Sequence, residues 1–478
     1  MLHRALIDIR VGGATEHAGI PQDCRLLVKT LGITNNVKLS VLIHPDFSVR
    51  KFRECVETTP TLAAALLLNG SGKQYGNDKA RAGRGIRRLL RRLRSKMGER
   101  SPYPIRPVDG AMSDAVWRTY LSPTLSHQDR ALLGKTDIFI SAIPENRMQR
   151  WRSWPMLKTS GFDFVIFPDL RSVTVSPGTT KIFRFHDALP IVASDMFQDR
   201  ASVERQFKLL ANGCRDSFLV CNSEPTRKQL LRLFPELEAR SVVIPCTMPD
   251  FAVWKGSDIP LGRIVADRRA ALVGSGKSPA PPVLTDGVEF VLMVSTIEPR
   301  KNHLGAIDAL DRVKRSLGRD IKLIIVGAPG WKDKPVLDQI ARGVQGQSII
   351  HLSRVPQEEL VSLYRKASAV LFPSFAEGFG FAPLEAMQCG TPAVVSDVAA
   401  HRWVLGDAAL YADPYDTAAI AHQLSLLLTD SNGEGLRREL RSKAANVLDR
   451  FTATTTSQQW SMLLDRLRSE QHTLVGSR

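Results

Sequence analysis

Absences narrow this 478-residue sequence before anything present in it does. Its best uninterrupted apolar run, Leu62–Leu68, is far shorter than the roughly 20 residues a helix needs to cross a bilayer. Six cysteines, at positions 24, 55, 214, 221, 246 and 389, lie scattered with no CxxC pair and no histidine cluster. That pattern argues for reduced thiols and against a zinc site. No Asp-x-Asp element stands in a convincing position, so no metal and no prosthetic group is expected. The first residues run straight into a strand pattern and lack the layout of a signal peptide. The expectation is a cytoplasmic protein. No internal repeat is visible.

What is present fits a folded protein of two domains, because 478 residues exceed one ordinary core. The formal charge of +17 is unevenly placed. Between Lys79 and Arg100 ten Lys or Arg residues face one Glu, a local net of +9, so the basic character belongs mostly to one insertion, residues 75–105. Within it Ile86, Leu89, Leu90, Leu93 and Met97 form one helical stripe, while Arg87, Arg88, Arg91, Arg92, Arg94 and Lys96 cover much of the remainder. A basic amphipathic helix of this kind suits an anionic membrane surface, which gives a peripheral location on the inner face of the membrane. Packing of the stripe on its own domain is the alternative. No base-stacking aromatics interleave with the arginines, so nucleic acid is not an expected partner.

Strand-like runs alternate with helical patterns along the whole chain, which predicts α/β architecture with mainly parallel sheets. Strands are expected at 5–11, 37–44, 137–142, 163–167, 181–186, 217–222 and 241–245, then at 289–295, 321–327, 348–352, 369–373 and 393–396. The composition of Gly274–Pro282 is that of a linker. The expected layout is a first domain over 1–255, a linker over 256–287 and a second domain over 288–450. A last helix over 451–478, with Trp460, Leu463, Leu464 and Leu467 at helical spacing, is expected to pack on the first domain.

Chemistry concentrates in Phe372-Pro-Ser-Phe-Ala-Glu377-Gly378-Phe379-Gly380-Phe381-Ala-Pro-Leu-Glu385. A strand ends at Phe372, a glycine-rich loop follows, and Pro383 is read as the start of a helix, where its missing N–H costs nothing. Free N–H groups at such a start suit a diphosphate. Gly378 and Gly380 are read as letting the main chain approach the ligand. Glu385 is placed in the first helical turn, at the positive end of the dipole. An ionised carboxylate accepts hydrogen bonds and suits a ribose diol or sugar hydroxyls. A second constellation, Glu298-Pro-Arg300-Lys301-Asn302, follows a strand and opens a helix. It puts two cations at the edge where doubly wound sheets bind ligands, ready to stabilise a departing diphosphate.

Here the chain resembles glycosyltransferase family 4, the large retaining family of GT-B fold. The Glu377-x7-Glu385 spacing carries the resemblance, which continues through Gly390-Thr-Pro, Ser396-Asp and Gly406-Asp-Ala-Ala-Leu. The Glu-Pro-Arg-Lys-Asn wording is similar to the branch of O-antigen and related polysaccharide mannosyltransferases. The resemblance implies two Rossmann-like domains facing a central cleft. It implies a nucleotide-sugar donor, GDP-mannose in this branch, and a glycan or lipid-linked acceptor. Glu385 would hold the ribose and Glu377 the transferred sugar, with Lys301 and Arg300 on the diphosphate. Many relatives carry an Arg directly after the strand where this chain has Ser295-Thr296, leaving Arg300 to substitute. Trp403 stands where relatives often have Glu.

Arg184-Phe-His186-Asp187-Ala-Leu-Pro resembles a His-Asp-x-x-Pro element of the same branch. His186 is expected near the reacting bond, and Asp187 there or as the cap of the next turn. Ser223 is read as a helix N-cap. Gly12-Gly13 resembles the acceptor-side loop that faces the cleft. By the resemblance the mechanism is metal-independent transfer with retention and no protein nucleophile. Two other readings stay open: a further GT-B enzyme such as an epimerase, and a non-catalytic nucleotide-sugar-binding protein.

Overall fold

The computed structural model describes residues 2–10, 19–44, 59–68, 103–141, 143, 148, 154–197, 200–214, 216–254, 258–269, 287–331, 333–429 and 433–476. The basic stripe Ile86–Met97 and the pair Gly12–Gly13 lie outside the described residues.

Two sheets form the frame. The first is built of β1 (His3–Asp8), β2 (Val37–Ile43), β3 (Arg106–Pro107), β4 (Asp137–Ile140), β5 (Phe164–Phe167), β6 (Thr180–Phe185), β7 (Ser217–Cys221) and β8 (Ser241–Val243). Their order is β8-β7-β6-β5-β1-β2-β4-β3, parallel except for β3. The second holds β9 (Phe290–Val294), β10 (Lys322–Val326), β11 (Ile349–Leu352), β12 (Ala369–Phe372), β13 (Ala393–Ser396) and β14 (Leu410–Ala412). Its order is β11-β10-β9-β12-β13-β14, all parallel. The expected α/β doubly wound halves are therefore present.

The strands the sequence did not announce are short. β3 and a three-stranded sheet of Tyr103–Pro104, Met156–Lys158 and Thr174–Val175 are too brief to show an alternating pattern. Proline is tolerated in β3 because that strand sits at a sheet edge. The central strands read instead as unbroken apolar runs, since helices cover both faces: Phe290–Met293 and Ala369–Phe372 are buried throughout.

In each sheet the chain builds outward on one side and then returns to the other. The first reversal lies between β1 and β5, the second between β9 and β12. Crevices at such reversals, beyond the carboxyl ends of the strands, are where open α/β sheets bind ligands.

The described chain passes between the two halves twice. Ile244 packs in the first core, whereas Cys246, Met248, Phe251, Leu261, Ile264 and Val265 pack in the second. The passage thus falls before the boundary expected at residue 255. Part of the expected linker is the helix Leu261–Arg268, whose apolar residues at i, i+3 and i+4 give it a face for the second core. The chain returns after Phe451, and Trp460, Leu463, Leu464 and Leu467 of the final helix lie in the first core. At the two passages Met248 N donates to Phe451 O at 2.8 Å, and the Thr247 hydroxyl lies 2.7 Å from that of Thr456 and 2.6 Å from that of Thr30. No helix among the described residues is long and apolar enough to cross a membrane.

Candidate functional site

The second-half edge is assembled from the loops after β9 and β12, and Asn302 joins them. It adopts a left-handed backbone, φ 55°, and its side-chain oxygen caps helix α1 (His303–Leu317) by accepting from Gly305 N. Its amide nitrogen donates to Pro373 O at 3.1 Å and to Pro414 O at 2.8 Å. Phe375 N adds a bond to Arg300 O. With the two backbones fixed, the charged side chains meet. Arg300 donates through Nη1 to Glu377 Oε2 at 2.7 Å and to Ala376 O at 2.9 Å, and through Nη2 to Glu298 Oε1 at 2.6 Å. Lys301 Nζ donates to Glu377 Oε1 at 2.7 Å and lies 4.7 Å from the centre of the Phe372 ring.

Burial by itself would raise the Glu377 carboxyl, but Arg300 and then Lys301 overcome it and hold Glu377 well below the usual carboxylate range. The Arg300 guanidinium loses by burial and gains more from Glu377 and Glu298, so its charge is reinforced. Burial and the neighbouring Arg300 pull the Lys301 ammonium down, and burial raises Glu298. Two acids and two cations are thus mated at the cleft wall. Such donors are fixed in place and are of the kind that binds carboxylate and phosphate oxygens.

The helix that follows begins two residues earlier than the sequence reading placed it. Gly380 takes φ +96° as N-cap of helix α2 (Phe381–Gln388), so Pro383 is its third residue and Glu385 falls in the second turn. Proline is accommodated because the first N–H groups of a helix have no intrahelical acceptor. Glu385 is therefore away from the positive end of the dipole. It is buried, accepting from Gln22 Nε2 of the first half at 2.7 Å and from Tyr364 Oη at 2.7 Å. Burial outweighs these bonds and raises its carboxyl.

Gly378 also serves a purpose other than the expected one. A β-carbon there would lie 2.3 Å from His186 O and 3.0 Å from Asp187 Cβ, so the missing side chain lets the two halves touch. The Gly378 carbonyl accepts from Ser223 Oγ at 2.7 Å and Thr226 Oγ1 at 3.2 Å. Ser223 is at the same time the N-cap of the helix Glu224–Leu233. Phe379 is buried against Phe381 and Phe451, as core.

Across the cleft, His186 follows β6. Its Nε2 lies 2.8 Å from Pro168 O and 3.8 Å from Asp23 Oδ2. Asp187 Oδ1 accepts from Leu189 N, two residues on, in the turn that leads into a short helix with Ala188 at its N-cap, and burial raises its carboxyl. Behind them Arg184 donates to Asp23 through Nε at 2.8 Å and Nη2 at 3.3 Å, and reaches Cys246 Sγ at 3.3 Å. Asp23, His186 and Cys246 converge closely enough to be ligands of one ion, a grouping their spacing in sequence concealed. Asp23 is already gripped by the Arg184 guanidinium, which does not fit a cation site.

Between the halves lies a cleft of about 590 Å³. It brings together Arg300, Lys301, Glu377, Gly378, Phe379, Gly380, Phe381 and Glu385 from one side with His186 and Asp187 from the other. Sequence reasoning missed Glu298, Gln22, Asp169 and Arg171, which also line it. Only Glu298 had a signal, its place inside the Glu-Pro-Arg-Lys-Asn run. Trp331, which also lines the cleft, stacks on Phe197 with ring centres 5.9 Å apart and donates to Met196 O at 2.9 Å.

Residues 277–447 match the family of glycosyl transferases group 1. Over 143 residues the chain is 42% identical to O-antigen chain mannosyltransferase B of Escherichia coli, covering 30% of this chain and 38% of that protein. It is 30% identical over 223 residues to D-inositol 3-phosphate glycosyltransferase of Nocardia farcinica, 44% of this chain and 45% of that one. The chain thus spans less than half the length of these curated relatives. Among solved structures, sucrose-phosphate synthase from Thermosynechococcus elongatus superimposes with a TM-score of 0.58 at 14% identity, over 98% of this chain and 100% of that chain. Anabaena Alr3699/HepE in complex with UDP gives 0.53 at 14%, over 97% and 100%. At such identities the likeness is one of fold, the two-domain GT-B arrangement.

Proposed function

Since its second half is a glycosyl transferases group 1 domain within a GT-B fold, we propose that this protein is a hexosyltransferase working on a nucleotide sugar. The donor is GDP-mannose and the acceptor a glycan or lipid-linked glycan of a surface polysaccharide. The observation that carries this reading is the Arg300–Lys301 pair, held on Glu377 at the cleft wall. The naming of the 42%-identical relative as an O-antigen chain mannosyltransferase supports mannose.

The chemistry follows from charge placement. A departing nucleoside diphosphate accumulates negative charge as the glycosidic bond breaks, and Arg300 and Lys301 stabilise it from fixed positions without reorganisation. Two fixed cations meet the need that a divalent ion would otherwise fill, so transfer is metal-independent. Glu377 has each carboxylate oxygen engaged by a cation, which suits holding sugar hydroxyls and ordering Arg300 and Lys301 better than abstracting a proton. The acceptor hydroxyl attacks on the face the diphosphate leaves and gives its proton to the departing phosphate, with retention of configuration. Orientation of the two substrates supplies much of the rate. Glu385 takes the ribose hydroxyls once Gln22 has yielded its place.

A panel of nucleotide sugars tests this, with the anomeric configuration of the product read by NMR and EDTA added in parallel. α-Linked product from GDP-mannose, unaffected by EDTA, is expected. Transfer from a UDP-sugar alone would refute the donor, a β-linked product the retention, and loss with EDTA restored by a divalent ion the metal independence. The Arg-rich segment 86–97 supports salt-sensitive attachment to an anionic membrane. Equal sedimentation of wild type and an Arg87, Arg88, Arg91 and Arg92 to Gln variant with anionic vesicles would reject it.

A further inference from the structure

The first half has a polar cluster that the donor chemistry leaves unused. It gathers where the chain reverses between β1 and β5. Asp8 ends β1, His44 follows β2, and Pro168–Arg171 follow β5. His44 Nε2 lies 2.9 Å from Asp8 Oδ2, and Arg10 reaches His44 Nδ1 at 3.3 Å. Arg171 grips Asp169 with two prongs, Nε to Oδ1 at 2.6 Å and Nη2 to Oδ2 at 2.5 Å. Asp8, Arg10, His44 and Arg171 are buried, whereas the Asp169 side chain keeps 27% exposure and lines the cleft together with Leu170 and Arg171.

Placement ties this group to the reaction centre. Pro168 O is the partner of His186 Nε2, and His186 O abuts Gly378, the residue next to Glu377. The Asp169 carboxylate therefore opens into the same cleft from the opposite edge. Stability alone is a weak reason for such a cluster, because apolar residues of similar volume often replace buried ion pairs without loss. A fork from Arg171 fixes the carboxylate in one orientation and leaves each oxygen further lone pairs toward the cleft. The Arg171 side chain keeps only 4% exposure against 27% for Asp169, so a ligand in the cleft meets the carboxylate oxygens before the guanidinium, which disfavours an anion. A neutral polyol would donate hydroxyls to it.

Resting on the transferase reading above, we propose that Asp169, oriented by Arg171 and backed by Asp8, Arg10 and His44, binds the hydroxyls of an uncharged sugar at the end of the acceptor glycan. Asp169 is a binding residue here and Arg171 a positioning residue. The site selects a pyranoside with free vicinal hydroxyls over a phosphorylated or carboxylated acceptor.

The test uses the full chain saturated with GDP, or UDP if that nucleotide alone binds. Saturation-transfer NMR is recorded with methyl glycosides of mannose, glucose, galactose and N-acetylglucosamine. At least one glycoside is expected to bind wild type and to lose tenfold or more in affinity in Asp169→Ala, with a smaller loss in Asp169→Asn. Nucleoside diphosphate affinity by calorimetry should stay within about twofold in both variants. If Asp169→Ala fails to fold, Asp169→Asn decides, because it preserves shape and one acceptor oxygen for Arg171. Arg171→Lys should fall between the two. Equal glycoside binding by wild type and a folded Asp169 variant would overturn the proposal, and so would no glycoside binding to wild type. Failure of the transferase reading looks different: neither GDP nor UDP would bind wild type, whatever the glycosides do.

Discussion

The two edges facing each other across the cleft both carry ion pairs, and the pairs differ in kind. On the second-half edge Arg300, Lys301, Glu298 and Glu377 all line the cleft and ride on loops locked together by Asn302. On the transferase proposal, an incoming diphosphate would replace Glu377 as their partner while the backbone stays in place. On the first-half edge the Arg184–Asp23 pair, with side chains 1% and 3% exposed, fastens the helix Gly19–Gly32 to β6, and Arg184 also donates to Ile244 O. That pair holds shape, whereas the Arg300 and Lys301 side chains keep 15% and 12% exposure toward the cleft.

That contrast breaks first where the buried pair is halved. Arg184→Met leaves Asp23 buried without its guanidinium and is expected to cost about 3–5 kcal/mol of stability, while the double variant Asp23→Leu/Arg184→Met recovers much of it. Thermal unfolding of both measures this; a single variant as stable as wild type would mean the pair does not hold the first half together. Next in size is the exchangeable group. Glu377→Ala should fold and lose roughly a hundredfold or more in rate, about 3 kcal/mol. Lys301→Ala should lose more rate than Arg300→Ala. Arg300→Ala should lose more stability, since Glu298 and the Ala376 carbonyl then lack a donor. Steady-state rates beside melting temperatures would erase the contrast if loss of rate and loss of stability ran in parallel.

A subtler effect belongs to Glu385. Burial raises its carboxyl above the ordinary 4.5, and in the proposed ribose contact only the ionised form would accept from both hydroxyls. Nucleotide affinity is therefore expected to strengthen as pH rises through that raised range and to weaken as pH falls back through it. Glu385→Gln should bind more weakly at neutral pH and with little pH dependence of its own. Calorimetry across the range decides it, and an equally pH-dependent Gln variant would assign the titration elsewhere. The smallest change is expected from Thr226→Val, which removes one of two hydroxyls on the Gly378 carbonyl. A loss of about 1 kcal/mol or less, a few-fold in transfer, is the scale of a single hydrogen bond. No change at all would leave Ser223 as the sole tie.

Much of the second-half edge was legible in the sequence because it is local. Glu298 to Asn302 are consecutive, Glu377 and Glu385 share one loop and helix, and both segments follow strands that read as unbroken apolar runs. The start of helix α2 was misplaced because proline resembles a first residue, whereas a left-handed glycine three positions earlier performs the capping. The second reason for Gly378, its contact with His186 O, was hidden because that partner comes from 192 residues away. On the first-half edge only His186 and Asp187 were legible beforehand, through the element that follows β6. Asp8, Asp23, His44, Asp169, Arg171 and Arg184 are single polar residues in unrelated segments, and only the parallel order of β2, β1, β5 and β6 makes them neighbours.

The chain's two passages between the halves lie side by side, Met248 against Phe451 and Thr247 against Thr456 and Thr30. Two threads under one knot act together: three threonine hydroxyls and one main-chain bond fasten both crossings to each other and to the helix Gly19–Gly32. Loosening that knot would loosen both crossings at once, at residues none of which lines the cleft.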